Sequence, residues 1–196
     1  MHRSFCRLGI CSAWQSSPAA LIFYIQRFNV KAIVLYDSRF GSTEKIAKSL
    51  EIGLKAAGRI ETVVCTNTGD LPSVDSLKEY DILCIGAPTE NLSASKSMKE
   101  FLAKLKVTDL SGKYGFAFDT KLDSRFSGSA AKYIEKELVN QGLRIIVPRE
   151  SAIVSSIKER GAMVGSRLKE GEEKRFEELG RFVGTANVQT SGLSST

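Results

Sequence analysis

Six consecutive residues, Ser38-Arg39-Phe40-Gly41-Ser42-Thr43, set three hydroxyls and a guanidinium around one glycine, just after a short apolar run. That mixture suits an anion, phosphate above all. The hydroxyls and the cation supply hydrogen bonds and charge, and the glycine lets backbone come close. If a helix starts here, its free amides add partial positive charge. A plainer reading stays open beside it, in which Ser42 or Thr43 caps a helix and Gly41 relieves a tight turn. The stretch is neither a Walker loop, since it lacks Gly-Lys-Ser/Thr, nor a dinucleotide fingerprint, since it lacks three spaced glycines.

Two more stretches carry polar groups where a ligand could be met: Gly86-Ala87-Pro88-Thr89-Glu90-Asn91-Leu92, and Asp119-Thr120 through Phe126-Ser127-Gly128-Ser129. The first also reads as an ordinary proline-containing connection. In the second, Phe126 is either an aromatic wall for a ligand or a staple packed under the following helix. No nucleophile and base, and no acid–base pair, stand out. His2 is the only histidine, and no group of Cys and His has zinc-ligand spacing. Of the four cysteines, Cys6 and Cys11 lie near the start and Cys65 and Cys84 in or beside apolar runs, which is no disulfide framework and fits a reducing, cytoplasmic setting.

The elements that position these stretches follow from apolar patterning. Ala32 to Tyr36 is too short for a helix and rich in branched residues, so a strand is predicted. Ile46, Leu50, Gly53/Leu54 and Ala57 have helical spacing, with Gly58 at the place of a C-terminal cap. Ile60–Thr66 and Tyr80–Gly86 read as the second and third strands, with at most a short helix between them around 74–78. The continuous apolar middle of the third implies burial on both faces. A helix presenting Met98, Phe101, Leu102 and Leu105 leads to a fourth strand at Tyr114–Phe118, and a helix through Ala131, Ile134 and Leu138 ends at Gly142. A fifth strand over 143–147 and 152–154 is broken by Pro148, which places it at a sheet edge or a bulge. Residues 155–169 read as a surface loop, and 170–183 as a last helix with Phe176, Leu179, Phe182 and Val183 inward. Strands alternating with helices make an α/β layer fold.

Ser38 to Glu44 at the end of a first strand resembles the FMN phosphate loop of the flavodoxin family, with Phe40 where the middle Thr of Ser/Thr-x-Thr-Gly-x-Thr would stand. That substitution is closer to the flavodoxin domain of flavodiiron proteins. Gly-x-Pro-Thr-x-Asn after the third strand and Phe126-Ser127-Gly128 after the fourth resemble the same family's ring-bordering segments. The resemblance runs from about residue 30 to 185. It implies a three-layer sandwich on a five-stranded parallel sheet of order 2-1-3-4-5, with the ligand crevice outside the carboxyl ends of the strands. It also implies FMN as cofactor. Its phosphate would lie on Ser38, Arg39, Phe40, Gly41, Ser42 and Thr43, and its ring between Pro88, Thr89, Glu90, Asn91 and Leu92 on one side and Asp119, Thr120, Phe126, Ser127 and Gly128 on the other. Asp119 and Glu90, if near the ring, would disfavour negative charge there and lower its potential.

Three functional classes follow: an electron-transfer flavodoxin working between a reductase and an acceptor; an FMN-dependent oxidoreductase on a quinone or, by likeness to flavodoxin-like protoporphyrinogen oxidases, a porphyrinogen; and a module of this fold that has lost flavin. A response-regulator receiver shares the topology but needs an Asp where Gly86-Ala87-Pro88 stands.

The 196 residues, 42% of them hydrophobic, suffice for one domain with a sizeable core. Residues 1–29 hold three arginines and no acid, so of the net charge of +6 the rest carries +3. This mild charge, mixed with glutamates along the helices, reads as a solvated face; no aromatic-and-basic cluster points to nucleic acid. The apolar patch Ala19 to Ile25 is too short to span a membrane, and no small-residue cleavage site follows it. Residues 1–29 are therefore expected to be a leader, disordered or outside the native product, and 186–196 a disordered tail.

Overall fold

A computed structural model of the chain describes residues 30–124 and 126–186. The expected leader and all but the first residue of the expected tail lie outside the described residues, as do His2, Cys6 and Cys11.

Strand β1 (Val30–Tyr36) runs parallel to β2 (Ile60–Asn67) on one side and β3 (Ile82–Glu90) on the other; β3 is parallel to β5 (Tyr114–Leu122), with the two-residue β4 (Ser93–Ala94) folded back on its end. Beyond β5 lie β6 (Arg144–Ile145) and β7 (Glu150–Glu159), both parallel to it, and β8 (Ala162–Leu168), antiparallel to β7. The order along the sheet is β2-β1-β3-β5-β7-β8. Helices α1 (Ser42–Ala56) and α4 (Glu172–Thr185) cover one face; α2 (Lys96–Leu105) and α3 (Ala130–Asn140) cover the other.

The layers follow from the period of two along each strand. Ile33, Leu35, Leu83, Ile85 and Ala117 join Met98, Phe101, Ile134 and Leu138 in one core, while Val34, Ile82, Cys84, Phe116 and Phe118 join Ile46, Leu50 and Phe176 in the other. Burying each such Leu, Ile or Phe contributes about 1.5–3 kcal/mol, so the apolar runs of β1, β3 and β5 fix the register of the three strands that end at the crevice. Gly86 makes room for this packing: a Cβ there would lie 2.2 Å from the Phe118 ring. Helices α1 and α4 cross almost backbone to backbone, since a Cβ on Gly53 would meet the Glu177 carbonyl oxygen at 2.0 Å. Gly58 and Gly142 follow the ends of α1 and α3 with φ of +66° and +81°, as expected of C-terminal caps.

The expectations of an all-parallel, five-stranded sheet and of a loop over 155–169 are corrected. Residues 162–168 form β8, joined to β7 by the two-residue turn Arg160-Gly161, both with positive φ. The interruption at Pro148 is present between β6 and β7, but β7 is not the sheet edge, because β8 pairs with its second half. Strands β3 and β5 also run four residues further than read, so Ala87–Glu90 and Asp119–Leu122 are strand and not loop. Phe182 is 61% exposed instead of inward: Gly180 and Gly184 take the inward positions beside Phe176 and Val183.

Candidate functional site

Three segments meet beyond the carboxyl ends of β1, β3 and β5. In the first, Gly41 adopts φ +79° as the residue preceding α1 and makes no side-chain cap. A Cβ on Gly41 would meet no atom within 4 Å, so the start of the helix opens onto free space. Ser38 Oγ stays at this opening, accepting from the Glu44 amide at 3.4 Å. The alternative in which Ser42 or Thr43 caps the helix is overturned, and both hydroxyls point elsewhere. Ser42 Oγ lies 2.7 Å from Ser166 Oγ and donates to the Ser166 carbonyl at 3.2 Å; Thr43 Oγ1 lies 2.9 Å from Thr120 Oγ1. These two hydroxyls tie α1 to β8 and β5. The remaining first-turn amides, Ser38 and the neighbouring Arg39 make up a donor set that fits a phosphate at a positive helix end.

The Arg39 guanidinium sits 5.0 Å from the centre of the Phe40 ring and 3.7 Å from Glu90 Oε1, so it links the first segment to the second. Both side chains are substantially exposed, which keeps the pair weak and easily rearranged. Behind them, Asp37 Oδ2 accepts from Ser95 Oγ and Ser97 Oγ, each at 2.5 Å, and fastens the loop after β1 to the start of α2.

The second segment is a hairpin, not a loose loop. Pro88, Thr89 and Glu90 are the last residues of β3, and Asn91-Leu92 form a two-residue turn with φ of +46° and +67°. Asn tolerates this conformation. Leu92 does so only at a cost in strain, and its side chain is 65% exposed.

Asp119 and Thr120, expected at the ring, are instead buried in β5. Asp119 Oδ2 receives three hydrogen bonds, from Thr89 Oγ1 (3.1 Å), Ser129 Oγ (2.8 Å) and the Ala131 amide (2.9 Å), while the Ala130 amide donates to Thr89 Oγ1 (2.9 Å). This carboxylate welds the start of α3 to the end of β3 and supports the crevice from below. Its Oδ1 is buried without a hydrogen-bond partner among the described residues.

In the third segment Ser124 Oγ accepts from the Phe126 amide, and Ser127 Oγ donates to the Ser124 carbonyl. Phe126 is 86% exposed, so the staple alternative fails and the ring is free to serve as a wall. Gly128, with φ +71°, brings this segment against Leu92. Ser95, Ser97 and Ser166 went unnoticed in the sequence. The Arg160-Gly161 pair was the available sign of the hairpin that carries Ser166; nothing in the spacing marked the two serines before α2.

Cysteine chemistry takes no part here. Burial, followed by the charge of Glu51, pushes the Cys65 thiol up to about 12, and burial raises Cys84 as well. Both stay protonated and unreactive at neutral pH. Among the described residues no group of three or more His, Cys, Asp or Glu could hold a metal ion, and no helix is long and apolar enough to cross a membrane.

The family profile described as "Flavodoxin domain" matches residues 33–155. A flavodoxin of Clostridium saccharobutylicum is 37% identical over 93 residues, which cover 46% of this chain and 56% of that protein. The type A flavoprotein fprA of Rhodobacter capsulatus is 28% identical over 143 residues, 69% of this chain and 32% of that one. The chain thus spans about half the length of the first relative and a third of the second. An archaeal flavodoxin structure superimposes with a TM-score of 0.65 at 22% identity, covering 79% of this chain and 96% of the other, and that likeness shows the fold.

Proposed function

The chain belongs to the flavodoxin-domain family, and on that footing we propose that residues 30–185 form one FMN-binding, electron-transfer unit. One observation carries the reading: the open, glycine-led start of α1 lies at the same sheet end as the Leu92 hairpin and the exposed Phe126 segment. The FMN phosphate would be held by the first-turn amides with Ser38 and Arg39 around Gly41, where the positive helix end favours a dianion. Ser42 and Thr43 would hold the cradle in place rather than contact the ligand. The ring would be bordered by Pro88 to Leu92 and by Phe126 to Gly128, with Phe126 as the aromatic wall, while Asp119 and Thr120 keep those borders fixed from beneath. When bound, FMN supplies one- or two-electron transfer. The chain supplies binding, orientation and the field of Glu90 and Arg39.

The reading implies a reductase and an acceptor as protein partners, in a cytoplasmic setting. It is tested by an absorption spectrum of the purified protein before and after incubation with FMN and desalting. Retained flavin bands, lost in a Gly41→Asp variant, support it; a protein that stays colourless refutes it. Steady NAD(P)H-dependent reduction of a quinone by the purified protein would move the reading to a substrate-specific oxidoreductase.

A further inference from the structure

Five buried side-chain polar atoms lack a hydrogen-bond partner among the described residues, and four of them belong to one place far from the crevice: Thr108 Oγ1, Glu137 Oε2, Gln141 Nε2 and Gln141 Oε1. A buried donor or acceptor left unmet costs about 1–3 kcal/mol, and here three such atoms on Thr108 and Gln141 lie beside a carboxylate oxygen of Glu137 whose one contact is the Lys106 ion pair, a concentration that calls for a ligand to meet it. All three residues line a cavity of about 730 Å³ between the α2–β5 connection (Lys106, Thr108, Asp109, Ser111) and the last turn of α3. Thr108 is 5% and Glu137 8% exposed. The cavity lies at the amino ends of β5 and β6, whereas the flavin crevice lies past their opposite ends. The nine residues of β5 set the two roughly 30 Å apart.

The charge and the unmet groups define the ligand. Helices α2 and α3 both end at this cavity, so their C-terminal carbonyls add negative potential. Glu137, Asp109 and Lys106 are the charged residues of the lining; Lys106 Nζ lies 3.2 Å from Glu137 Oε2 in a geometry that makes no hydrogen bond, while Asp109 is under the influence of Lys78 outside the lining. Lys106 is itself largely exposed, so an incoming cation displaces it at little cost. The Gln141 amide offers both a donor and an acceptor, and Thr108 either.

We propose that this cavity is a second binding site, for a small organic cation whose ammonium or guanidinium group engages Glu137 while further polar groups meet Gln141 and Thr108. An anion is disfavoured by the net negative lining.

The test is titration of the full-length, 15N-labelled protein with agmatine, which carries a guanidinium and an ammonium, followed by NMR and calorimetry; sulfate and glycerol are run in parallel. The Gln141 side-chain and Thr108 amide signals should shift saturably, with the crevice residues Gly41 and Gly128 unmoved. Glu137→Gln should weaken binding about tenfold or more, as loss of a charge-assisted hydrogen bond does. Lys106→Met, checked for an unchanged fold by its 15N spectrum because it unpairs Glu137, should tighten it severalfold by removing the competing cation. Agmatine that moves no signal at Gln141 and Thr108 overturns the proposal. So does sulfate saturating the same signals, or weaker agmatine binding by Lys106→Met.

Discussion

Gly128 faces the backbone of Leu92 so closely that a Cβ on the glycine would stand 2.3 Å from the Leu92 carbonyl oxygen and 2.4 Å from its Cα. The segments that follow β3 and β5 are therefore one unit at this point: neither can move without the other. Gly128→Ala combines that collision with an unfavourable φ of +71°. It should cost about 2–4 kcal/mol in urea unfolding and loosen FMN retention on desalting.

Leu92 holds a left-handed conformation that glycine adopts freely. Leu92→Gly should relieve about 1 kcal/mol of strain, read as a higher unfolding midpoint. If Leu92 borders the ring, the same variant should release FMN faster. A gain in stability with unchanged FMN release would leave Leu92 as strained connector only.

Asp119→Ala removes the acceptor shared by Thr89, Ser129 and the Ala131 amide, all at a fully buried position. The expected loss is about 3 kcal/mol or more, since buried donors are left without partners. Amide exchange at Ala130 and Ala131 should accelerate most, because the start of α3 is what the carboxylate holds.

These cases also show what the sequence could and could not reveal. The runs through Ile33, Leu83 and Phe116 are apolar because both faces of the sheet are covered, so β1, β3 and β5 are legible from local pattern alone. Asp119 and Thr120 look like loop residues. Only partners 30 and 77 positions away, Thr89 and Thr43, let them be buried in a strand. Strand β8 (Ala162–Leu168) mixes Ala, Met, Val and Leu with Gly, Ser and Arg and is mostly exposed, and it exists because β7 pairs with it. On α4 the inward stripe includes Gly180 and Gly184, which a search for apolar side chains passes over in favour of Phe182. The glycine-centred turn after β1, and the helix that starts from it, were readable from local pattern. The inward turn of Ser42 and Thr43 was not, as it depends on Ser166 and Thr120.

Alkaline stability follows from the two described thiols. In the unfolded chain a thiol titrates near about 8.5, whereas in the fold burial pushes Cys65 up to about 12 and raises Cys84 too. Between about pH 8.5 and 12 the folded state holds protons that the unfolded state has released, so stability is complete below that window and declines as pH rises through it. Unfolding by urea at successive pH values should show this decline, and a Cys65→Ala/Cys84→Ala variant should flatten it. Iodoacetamide should label both thiols slowly at pH 8.

Arg39 is shared between two claims, one from Glu90 at 3.7 Å and one from any phosphate at the start of α1. If the phosphate sits at the start of α1, Glu90 competes with it for the guanidinium and adds a repelling charge, so Glu90→Gln should tighten FMN binding about two- to fivefold at low ionic strength, in keeping with the modest energy of an exposed pair. At about 0.5 M salt, where screening acts within a few ångströms, the gain should largely vanish. Riboflavin, which has the same ring and no phosphate, separates the two contributions. If the effect runs through Arg39 and the phosphate, riboflavin binding stays unchanged in Glu90→Gln, and the double variant with Arg39→Gln loses the gain for FMN. An equal tightening of riboflavin would instead place Glu90 beside the ring, where its charge acts on the flavin directly, and would assign Arg39 to holding the hairpin alone.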